Sequence, residues 1–451
     1  MRTETVALIS LGCAKNLVNS EQMLWLLTDA GYKTTIVPDV VDAAGYDVAV
    51  VNTCGFIDSA KAEAIDVLLE LAAMKADGQI CKIICAGCLP ERYKAEIASE
   101  LPEIDVFVGV GGYGDIVAAV CGGKAAFFPA PESFDDNIPR ALSTPASWAY
   151  LKIADGCDNR CAFCAIPDIR GRYRSRPEED ILAEARLLAE NGVREIIIVA
   201  QDITRYGFDL YGEKRLAPLL HKISEIEGFM WIRLHYLYPD SFTDELIDEI
   251  AANKKILKYL DIPIQHINDG ILKRMNRRGT GDDIRTLFRK LRESIPKVVL
   301  RTSLITGLPG EGEAEFGELV EFLKEAKIER AGVFAYSPEE GTPAVLMERP
   351  DAETAQRRAE QVEMLQSRIM DDFNTRRQGK LVKVLLEGVE DGRLYGRSYA
   401  ESPDVDGVVY VRSTKSNIAN VEIGEIYSVM IMGSDGGDVV GELIGEYNEP
   451  S

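Results

Sequence analysis

Three cysteines stand close together in the middle of the chain, at a spacing that can support metal chemistry. Cys157, Cys161 and Cys164 follow the pattern CxxxCxxC. Three thiolates arranged in this way can hold three irons of a 4Fe-4S cube and leave the fourth iron open to another ligand. Zinc sites usually combine paired CxxC motifs or cysteine with histidine, and no histidine is near this segment. Buried structural thiols are the weaker alternative, because small reactive side chains gain little from packing in a loop.

A second set of cysteines is dispersed along the first hundred residues. Cys13, Cys54 and Cys88 each follow a short apolar segment that we predict to be a strand of a parallel sheet. Because the carboxyl ends of parallel strands meet at one edge, the three thiols should share one crevice. A glycine stands beside each of them, which permits the close backbone approach that a bulky cluster needs. This set therefore predicts a second metal site.

The other three cysteines occupy positions that do not favour ligation. Cys81 begins a predicted strand, Cys85 lies inside it, and Cys121 ends a predicted helix. We expect all three to be buried thiols. Cys85 keeps an alternative as a ligand, since Cys85 and Cys88 form a CxxC pair.

The elements that must position these cysteines divide into three regions. From residue 1 to 121, short apolar strands alternate with helical patterns, which predicts a parallel sheet wrapped by helices. Residues 122–147 are rich in glycine and proline and read as a linker. The predicted strands of the first region are 6–10, 48–52, 82–85 and 106–109, and its helices should begin near Asn19, Ser59, Glu91 and Tyr113.

A second alternation of strands and helices covers residues 148–378 and ends in a long polar helix at 351–378. Six strand-helix units of this kind predict a partial βα barrel with its chemistry at the C-terminal rim. Residues 379–447 contain five short alternating strands, which predict a small β-barrel. The fold class is therefore α/β. The six predicted strands of the second region are 150–154, 195–199, 231–234, 259–262, 298–304 and 332–336, and those of the third are 381–386, 394–399, 408–411, 427–432 and 439–444.

The net charge of the chain and the length of its apolar segments limit the kinds of binding partner and the cellular compartment that we expect. The chain has 51 Lys+Arg against 73 Asp+Glu, a formal charge of −22. Such a charge repels polyanions, so a general preference for nucleic acid is not expected. The apolar run at 6–12 is too short for a signal peptide and no segment is long enough to span a bilayer. We expect a cytoplasmic protein without disulfides.

The CxxxCxxC motif, with Phe163 before its last cysteine, resembles that of the radical S-adenosylmethionine (SAM) superfamily. The resemblance implies that the open iron binds the amino and carboxylate groups of SAM. It also implies that Phe163 contacts the adenine, and that Gln201 and Asp202 lie where the superfamily places its methionine-binding turn. Further rim candidates are Arg233, Gln265 and Arg301. For each of these side chains an ordinary loop position or a structural ion pair is the alternative.

The surroundings of the dispersed cysteines resemble those of the methylthiotransferase family, as do Ile166-Pro167 and the arginine-rich segment 170–176, and the final barrel resembles the TRAM domain. The motifs that carry this likeness are Ser10-Leu-Gly-Cys13-Ala-Lys-Asn, Asn52-Thr-Cys54-Gly-Phe-Ile-Asp-Ser and Gly87-Cys88-Leu-Pro-Glu-Arg-Tyr.

The resemblance implies two 4Fe-4S clusters and two uses of SAM. One molecule methylates sulfur at the N-terminal cluster, and another is cleaved to a radical that removes hydrogen from substrate carbon. No conventional acid, base or nucleophile is required, so structural roles are expected for the three histidines.

Methylthiotransferases modify either a tRNA adenosine or an aspartate of a small-subunit ribosomal protein. The residues after Cys13 and Cys54, together with Gln265-His266, resemble the second branch, although Asn19 departs from it. That branch implies methylthiolation at the β-carbon of an aspartate in small-subunit ribosomal protein twelve. Residues 380–451 hold 6 Lys+Arg against 13 Asp+Glu, which suits a basic protein better than RNA, unless the acidic surface is merely solvated.

The partners expected from this assignment are the ribosomal protein, met free or within its subunit, and a protein that supplies electrons or sulfur. Neither membrane association nor dedicated tRNA binding is expected. Two alternatives remain: a tRNA adenosine methylthiotransferase with the same chemistry, and a non-catalytic iron-sulfur carrier. The second would leave the SAM-type loop and the long barrel without a purpose.

Overall fold

The computed structural model describes residues 4–122, 125–412 and 421–446. Its first region is a six-stranded parallel sheet in the order β2-β1-β3-β4-β5-β6, with helices against both faces. The elements are β1 Thr5–Ser10, α1 Ala14–Asp29, β2 Lys33–Ile36, β3 Val48–Thr53, α2 Asp58–Ala76, β4 Lys82–Gly87, α3 Cys88–Glu100, β5 Val106–Val108, α4 Ile116–Cys121 and β6 Ala126–Phe127.

The four strands predicted for this region are present, and two further strands extend the sheet at its edges. β2 is short and polar, and β6 has only two residues within the stretch expected to be a linker. Neither carries the apolar run by which a buried strand is recognised. Two helices begin earlier than expected, α1 at Ala14 and α3 at Cys88, so that each starts directly at a cysteine.

The second region is an open sheet of six parallel strands in the order β14-β13-β12-β11-β10-β7, as the alternation predicted. Its elements are β7 Trp148–Lys152, β8 Ala154–Asp155, α5 Ile166–Arg170, β9 Arg174–Ser175, α6 Glu178–Glu190, β10 Glu195–Val199, α7 Phe208–Tyr211, α8 Leu216–Ser224, β11 Trp231–Leu234, α9 Asp244–Ala252, β12 Ile256–Asp261, α10 Asp269–Arg274, α11 Gly281–Ser294, β13 Val299–Thr306, α12 Glu313–Ala326, β14 Arg330–Ala335 and α13 Ala352–Arg377.

Alternate residues of β7 and β10 face two different layers, as the two-residue period of a strand requires. Leu151 and Ile196 belong to the large core beneath the surrounding helices. Tyr150 and Ile197 point the other way and pack against the first turns of α1, including Val18. The start of the first region's leading helix therefore lies on the inner face of the partial barrel.

The C-terminal region is a closed five-stranded barrel, as predicted, and it contacts the second sheet through the segment 398–406. Tyr150 and Tyr259 donate hydrogen bonds to Asp404 and Asp406, each at 2.6 Å. This segment thus covers part of the inner face. The strands are β15 Leu381–Glu390, β16 Arg393–Arg397, β17 Val409–Arg412, β18 Ile426–Asp435 and β19 Asp438–Glu446.

Two further predictions concern membrane-spanning helices and the burial of the three cysteines outside the two sets. Within the described residues, no helix combines the length and the apolar character needed to span a bilayer. Cys85 is buried in β4, as expected, but the prediction was wrong for Cys81 and Cys121, which are exposed. Cys81 precedes β4 at the edge opposite the crevice, and Cys121 ends α4 beside the hydroxyl of Tyr32, 3.0 Å from its sulfur. Neither position has an element packed over it.

Candidate functional site

The first thiol set converges at the carboxyl edge of the N-terminal sheet. Cys13 directly precedes α1, Cys54 directly follows β3, and Cys88 is the first residue of α3. The loops touch one another: a Cβ built on Gly12 would lie 2.8 Å from the Cβ of Cys54, and one built on Gly55 would lie 2.9 Å from the carbonyl of Cys88. This arrangement is consistent with the prediction from the sequence that the three cysteines share one crevice.

Two glycines make this convergence possible. Gly12 has φ +89° and Gly87 has φ +102°, a region that side chains other than glycine rarely adopt. A Cβ on Gly87 would also lie 2.7 Å from the carbonyl oxygen of Thr53. The backbone beside Cys13 and Cys88 therefore tolerates only glycine.

Charge in the crevice is arranged around the three sulfurs. Burial, together with the neighbouring thiolates of Cys88 and Cys13, raises the pKa of Cys54 to about 12. Burial opposes ionisation of Cys13 as well, but Lys15 and Arg170 together lower the pKa of Cys13 below its usual value. Three neighbouring thiolates repel one another, and a bound cation offsets this repulsion. Metal binding therefore favours the deprotonated form of all three cysteines.

The second set lies in the loop between β8 and α5, above the carboxyl end of β7. Cys164 N–H donates to the carbonyl of Cys161 at 3.0 Å, which curls the loop into a turn. Burial raises the pKa of Cys157 to about 11, and Cys161 contributes to this shift. Arg277 donates a hydrogen bond to the sulfur of Cys161 at 3.7 Å. The chain thus brings the three thiols together and offers one of them a positive partner.

Neither set is arranged for a single metal ion. Among the described residues, no three His, Cys, Asp or Glu side chains close in on one point at ion-binding distance. The thiolates that hold an iron-sulfur cube bind separate corners and stand farther apart than the ligands of one zinc ion. A donor set of three thiols fits a 4Fe-4S cluster that has one open iron.

Arg170 joins the two sets. Its buried guanidinium donates to Asn19 Oδ1 at 2.9 Å and to Asn16 Oδ1 in the N-terminal region, and to Cys88 Sγ at 3.4 Å. In the second region it pairs with Asp155 Oδ2 at 3.1 Å, two residues before Cys157. Arg170 belongs to α5, which follows Cys164 by one residue. One side chain therefore fixes the edges of both sheets against each other.

Two of the predicted SAM contacts, Phe163 and Gln201, lie beside the second set. Phe163 is buried in an apolar cluster together with Cys161. Gln201 donates to Asp155 Oδ1 at 2.8 Å, while its Oε1 is buried with no hydrogen-bond partner in the described structure. Gln265 lies four residues after β12, where its backbone pairs with β13, and it has φ +68°. An unpaired buried carbonyl oxygen is a suitable acceptor for an ammonium group, so the residues present fit the amino group of SAM.

The other three predicted contacts, Asp202, Arg233 and Arg301, already have hydrogen-bond or ion-pair partners. Arg233 is completely buried, pairs with Glu195 at 2.6 Å, and donates to carbonyls of the segment 398–406. It points down the inner face from the middle of β11, so its expected place on the rim is corrected. Asp202 accepts hydrogen bonds from Thr204 and, at 3.0 Å, from the side chain of Asn159 in the cysteine loop, so it lies beside the second set. Arg301 pairs with Asp261 at 2.7 Å.

Several residues of the site were not singled out from the sequence, among them Lys15 and Tyr236. The ammonium of Lys15 lies 3.4 Å from the centre of the Tyr236 ring, which comes two residues after β11. Lys15 was visible only as part of the motif around Cys13, and Tyr236 had no distinguishing spacing. The contact joins residues more than two hundred positions apart, which no local pattern reveals.

The histidines have structural surroundings. His235 Nε2 lies 2.7 Å from Ser402 Oγ, and burial lowers the pKa of His235 to about 3, which keeps the ring neutral. His266 accepts the backbone N–H of Asn268 at 3.0 Å, and His221 is exposed. Structural roles remain our prediction for all three.

Three family models match separate parts of the chain. The radical SAM superfamily covers residues 151–323, the Uncharacterized protein family UPF0004 covers 5–109, and the TRAM domain covers 379–444. Each match falls within one of the three regions of the fold.

Relatives align over nearly the whole length. The ribosomal protein uS12 methylthiotransferase RimO of Acetivibrio thermocellus is 48% identical over 457 residues, which cover 98% of each chain. The protein of the same name from Clostridioides difficile is 44% identical over 453 residues, 98% of this chain and 99% of its own. This chain belongs to the uS12 methylthiotransferase family. The resemblance drawn from the cysteine motifs is thereby confirmed.

Solved structures of other radical SAM enzymes have a similar fold to this uS12 methylthiotransferase family member. The radical SAM methyltransferase TsrM from Kitasatospora setae, solved with cobalamin and a [4Fe-4S] cluster, has a TM-score of 0.57 at 14% identity, covering 76% of this chain and 74% of that one. The cobalamin-dependent SAM radical enzyme OxsB has a TM-score of 0.52 at 14% identity, covering 80% of this chain and 56% of that one. Both likenesses concern the fold alone.

Proposed function

We propose that this radical SAM enzyme adds a methylthio group to the β-carbon of an aspartate in the ribosomal protein uS12. The observation that carries the proposal is the placement of two three-thiol sets at the edges of two parallel sheets, joined by Arg170. Relatives that bear the uS12 methylthiotransferase name align over almost the entire chain, which supports the choice of substrate.

The six cysteines divide into two holders of 4Fe-4S clusters. When bound, the clusters and SAM supply the electron, the sulfur and the methyl group of the reaction. One cluster would be held by Cys13, Cys54 and Cys88, and the other by Cys157, Cys161 and Cys164. The chain's own part is to keep both sets near one shared space and to limit the access of water to it.

SAM would lie against the second set. Phe163 offers an apolar surface for the adenine, and Gln201 offers a buried amide oxygen that has no partner in the described structure. Gln265 is kept as a further polar contact. Asp202 and Arg301 retain a smaller part in this proposal. Asp202 is held by Thr204, and its pKa is raised by burial, while Arg301 already has a carboxylate partner. Arg233 is left out, because its charge is neutralised by Glu195.

The choice of a protein substrate is supported by charge. The C-terminal barrel is acidic, and an acidic surface attracts a basic protein and repels RNA. A separate protein would supply electrons or sulfur, and uS12 would be met either free or within the ribosomal subunit. We assign residues 1–121 to the first domain, 122–147 to a linker, 148–378 to the radical SAM domain and 379–447 to the TRAM-like barrel.

The test is an anaerobic reaction of the reconstituted enzyme with SAM, a reductant and either purified uS12 or tRNA, read as substrate mass. A gain of one methylthio group on the aspartate of uS12 is expected. The same gain on tRNA would keep the chemistry and refute the substrate, and failure to cleave SAM would support an iron-sulfur carrier. The Cys81→Ala variant, which alters an exposed thiol outside both sets, serves as the matched control.

A further inference from the structure

Lys15 is a buried lysine without a carboxylate partner among the described residues, and the acidic groups shown to interact with it are the Cys13 thiol and the Tyr236 phenol. Only 7% of its surface is exposed, and no carboxylate lies within ion-pair distance of it among the described residues. The other buried lysine of the described chain, Lys152, pairs with Asp136 at 2.5 Å and with Asp155 at 3.1 Å. Burying an ammonium group is costly unless it is paired, so the position of Lys15 calls for an explanation.

An aromatic ring holds the ammonium in place. Lys15 Nζ lies 3.4 Å from the centre of the Tyr236 ring, a cation-π contact that offsets part of the cost of burial. Tyr236 has φ +62°, which is rare for a bulky residue. Its carbonyl accepts the N–H of Ile203 at 3.1 Å and its own N–H donates to Asp261 at 3.3 Å, so the strained conformation is fixed from both sides. Strain of this kind concentrates at binding sites.

The location is the space that both thiol sets border. Lys15 stands two residues after Cys13, at the start of α1, and α1 packs on the inner face of the partial barrel. Lys15 therefore lies between the first thiol set and the strands that carry the second. A substrate that meets both sets must pass close to this ammonium.

The neighbouring cations are already occupied. Arg170 pairs with Asp155, Arg233 with Glu195 and Arg301 with Asp261, as described above. Arg277 has no carboxylate partner within the described part of the chain, but it donates to Cys161 Sγ and to the carbonyl of Pro263. Lys15 has no carboxylate partner among the described residues; its ammonium lies on the ring of Tyr236 and close enough to Cys13 to lower the pKa of that thiol, and it remains accessible to an incoming carboxylate.

We propose that Lys15 is the cation of a carboxylate subsite at the junction of the two regions. The carboxylate belongs either to the side chain of the target aspartate or to the methionyl part of SAM. The inference rests on the proposed function, because that function brings both carboxylates to this space. A site of this kind rejects the corresponding amide, since an amide leaves the buried ammonium without a counter-charge.

The experiment measures binding without turnover, on anaerobically reconstituted enzyme that receives no reductant. The ligands are SAM, a uS12 peptide that contains the target aspartate, and the same peptide with asparagine instead. Dissociation constants are compared for the wild type, Lys15→Met, Lys15→Arg and a control, Lys33→Met, which alters an exposed lysine of β2. Iron content and thermal unfolding are recorded for every preparation.

We expect Lys15→Met to weaken either the aspartate peptide or SAM by about 10- to 100-fold, the range for a lost hydrogen bond to a charged group. If Lys15 binds the carboxylate of the target aspartate, the preference for aspartate over asparagine disappears and SAM binding is unchanged. If Lys15 binds the carboxylate of SAM, SAM binding is weakened and the preference for aspartate over asparagine is unchanged. Lys15→Arg should keep most of the affinity, and Lys33→Met should match the wild type.

The experiment distinguishes failure of the carboxylate subsite from failure of the proposed function. If Lys15→Met binds both ligands as the wild type does, or weakens both peptides equally without loss of SAM binding, the carboxylate subsite is refuted and Lys15 only balances the charge of the cluster. Because the two peptides are compared on one preparation, a smaller folded fraction does not imitate a loss of preference. If the wild type binds no uS12 peptide, the proposed function fails, and the SAM measurement alone decides the role of Lys15.

Discussion

Replacing Arg170 by methionine should loosen the joint between the two cluster-bearing regions. The guanidinium touches Asn16, Asn19 and Cys88 on one side and Asp155 on the other, and it is almost completely buried. Methionine has a similar length but no charge. The variant leaves a buried carboxylate with one partner fewer and the amide oxygen of Asn19 without a donor in the described structure, while Asn16 Oδ1 keeps the thiol of Cys88 at 3.6 Å.

The expected loss follows from these contacts. Breaking a buried ion pair by removing one partner costs about 3–5 kcal/mol. Asp155 keeps Lys152 at 3.1 Å, so we take the lower end, about 3 kcal/mol. At roughly 2 °C per kcal/mol for a body of this size, the unfolding temperature should fall by about 6 °C. Arg170→Lys keeps the charge but not the planar fork, and we expect a loss of about half as much.

The assay is thermal unfolding of the reconstituted enzyme, followed by tryptophan fluorescence under anaerobic conditions. Trp25 lies in the N-terminal region and Trp148 in the second, so both regions are reported. Arg172→Met is the matched control, because the side chain of Arg172 is 85% exposed. It should unfold within about 1 °C of the wild type, since surface substitutions have small effects.

The reasoning fails if Arg170→Met unfolds at the same temperature as the wild type, or if Arg172→Met is destabilised to the same degree. Either result would mean that the buried contacts of Arg170 do not hold the two regions together. A normal iron content in a destabilised Arg170→Met variant would separate the loss of the joint from a loss of clusters.

Three further predictions concern the clusters and the C-terminal contact. Cys13→Ala should abolish methylthiolation but leave reductive SAM cleavage largely intact, whereas Cys161→Ala should abolish cleavage; equal loss of cleavage in both would contradict separate clusters. Gly87→Ala should lower the iron content to about half, because its φ of +102° excludes a side chain beside the first set, and a full iron content would refute this. Burial opposes the charge of Glu401, but Arg377 and Arg330 lower the pKa of Glu401 from 4.5 to about 2, which corresponds to about 3 kcal/mol of stability. That stability is present above about pH 4.5 and is lost as the pH falls towards about 2, so the deficit of Glu401→Gln in denaturant unfolding should shrink over this interval; a deficit independent of pH would contradict the assignment.

The sequence was informative wherever the signal is local. The strands before Cys13, Cys54 and Cys88 are apolar runs, and a parallel sheet gathers whatever follows such strands at one edge. The CxxxCxxC spacing needs only one loop to bring its thiols together. The closed C-terminal barrel followed from two-residue alternation between turn residues. These features depend on periodicity and spacing within a few tens of residues.

The errors and omissions have a common cause in long-range packing. Arg233 was expected on the rim but is neutralised by Glu195 and covered by the segment 398–406, which lies far along the chain. Cys81 was expected to be buried but ends up at an uncovered sheet edge. No pattern within either segment states which element will pack over it.

The sequence alone therefore determined the two cysteine sets, the order of the three regions and the family. The tertiary structure decided how the regions meet: Arg170 reaches from α5 into the first crevice, and Lys15 reaches from α1 onto the ring of Tyr236. Burial and ion pairing between distant residues depend on which charges the folded chain brings together. The spacing of residues in the sequence carries no information on these pairings, and the geometry of the site depends on them.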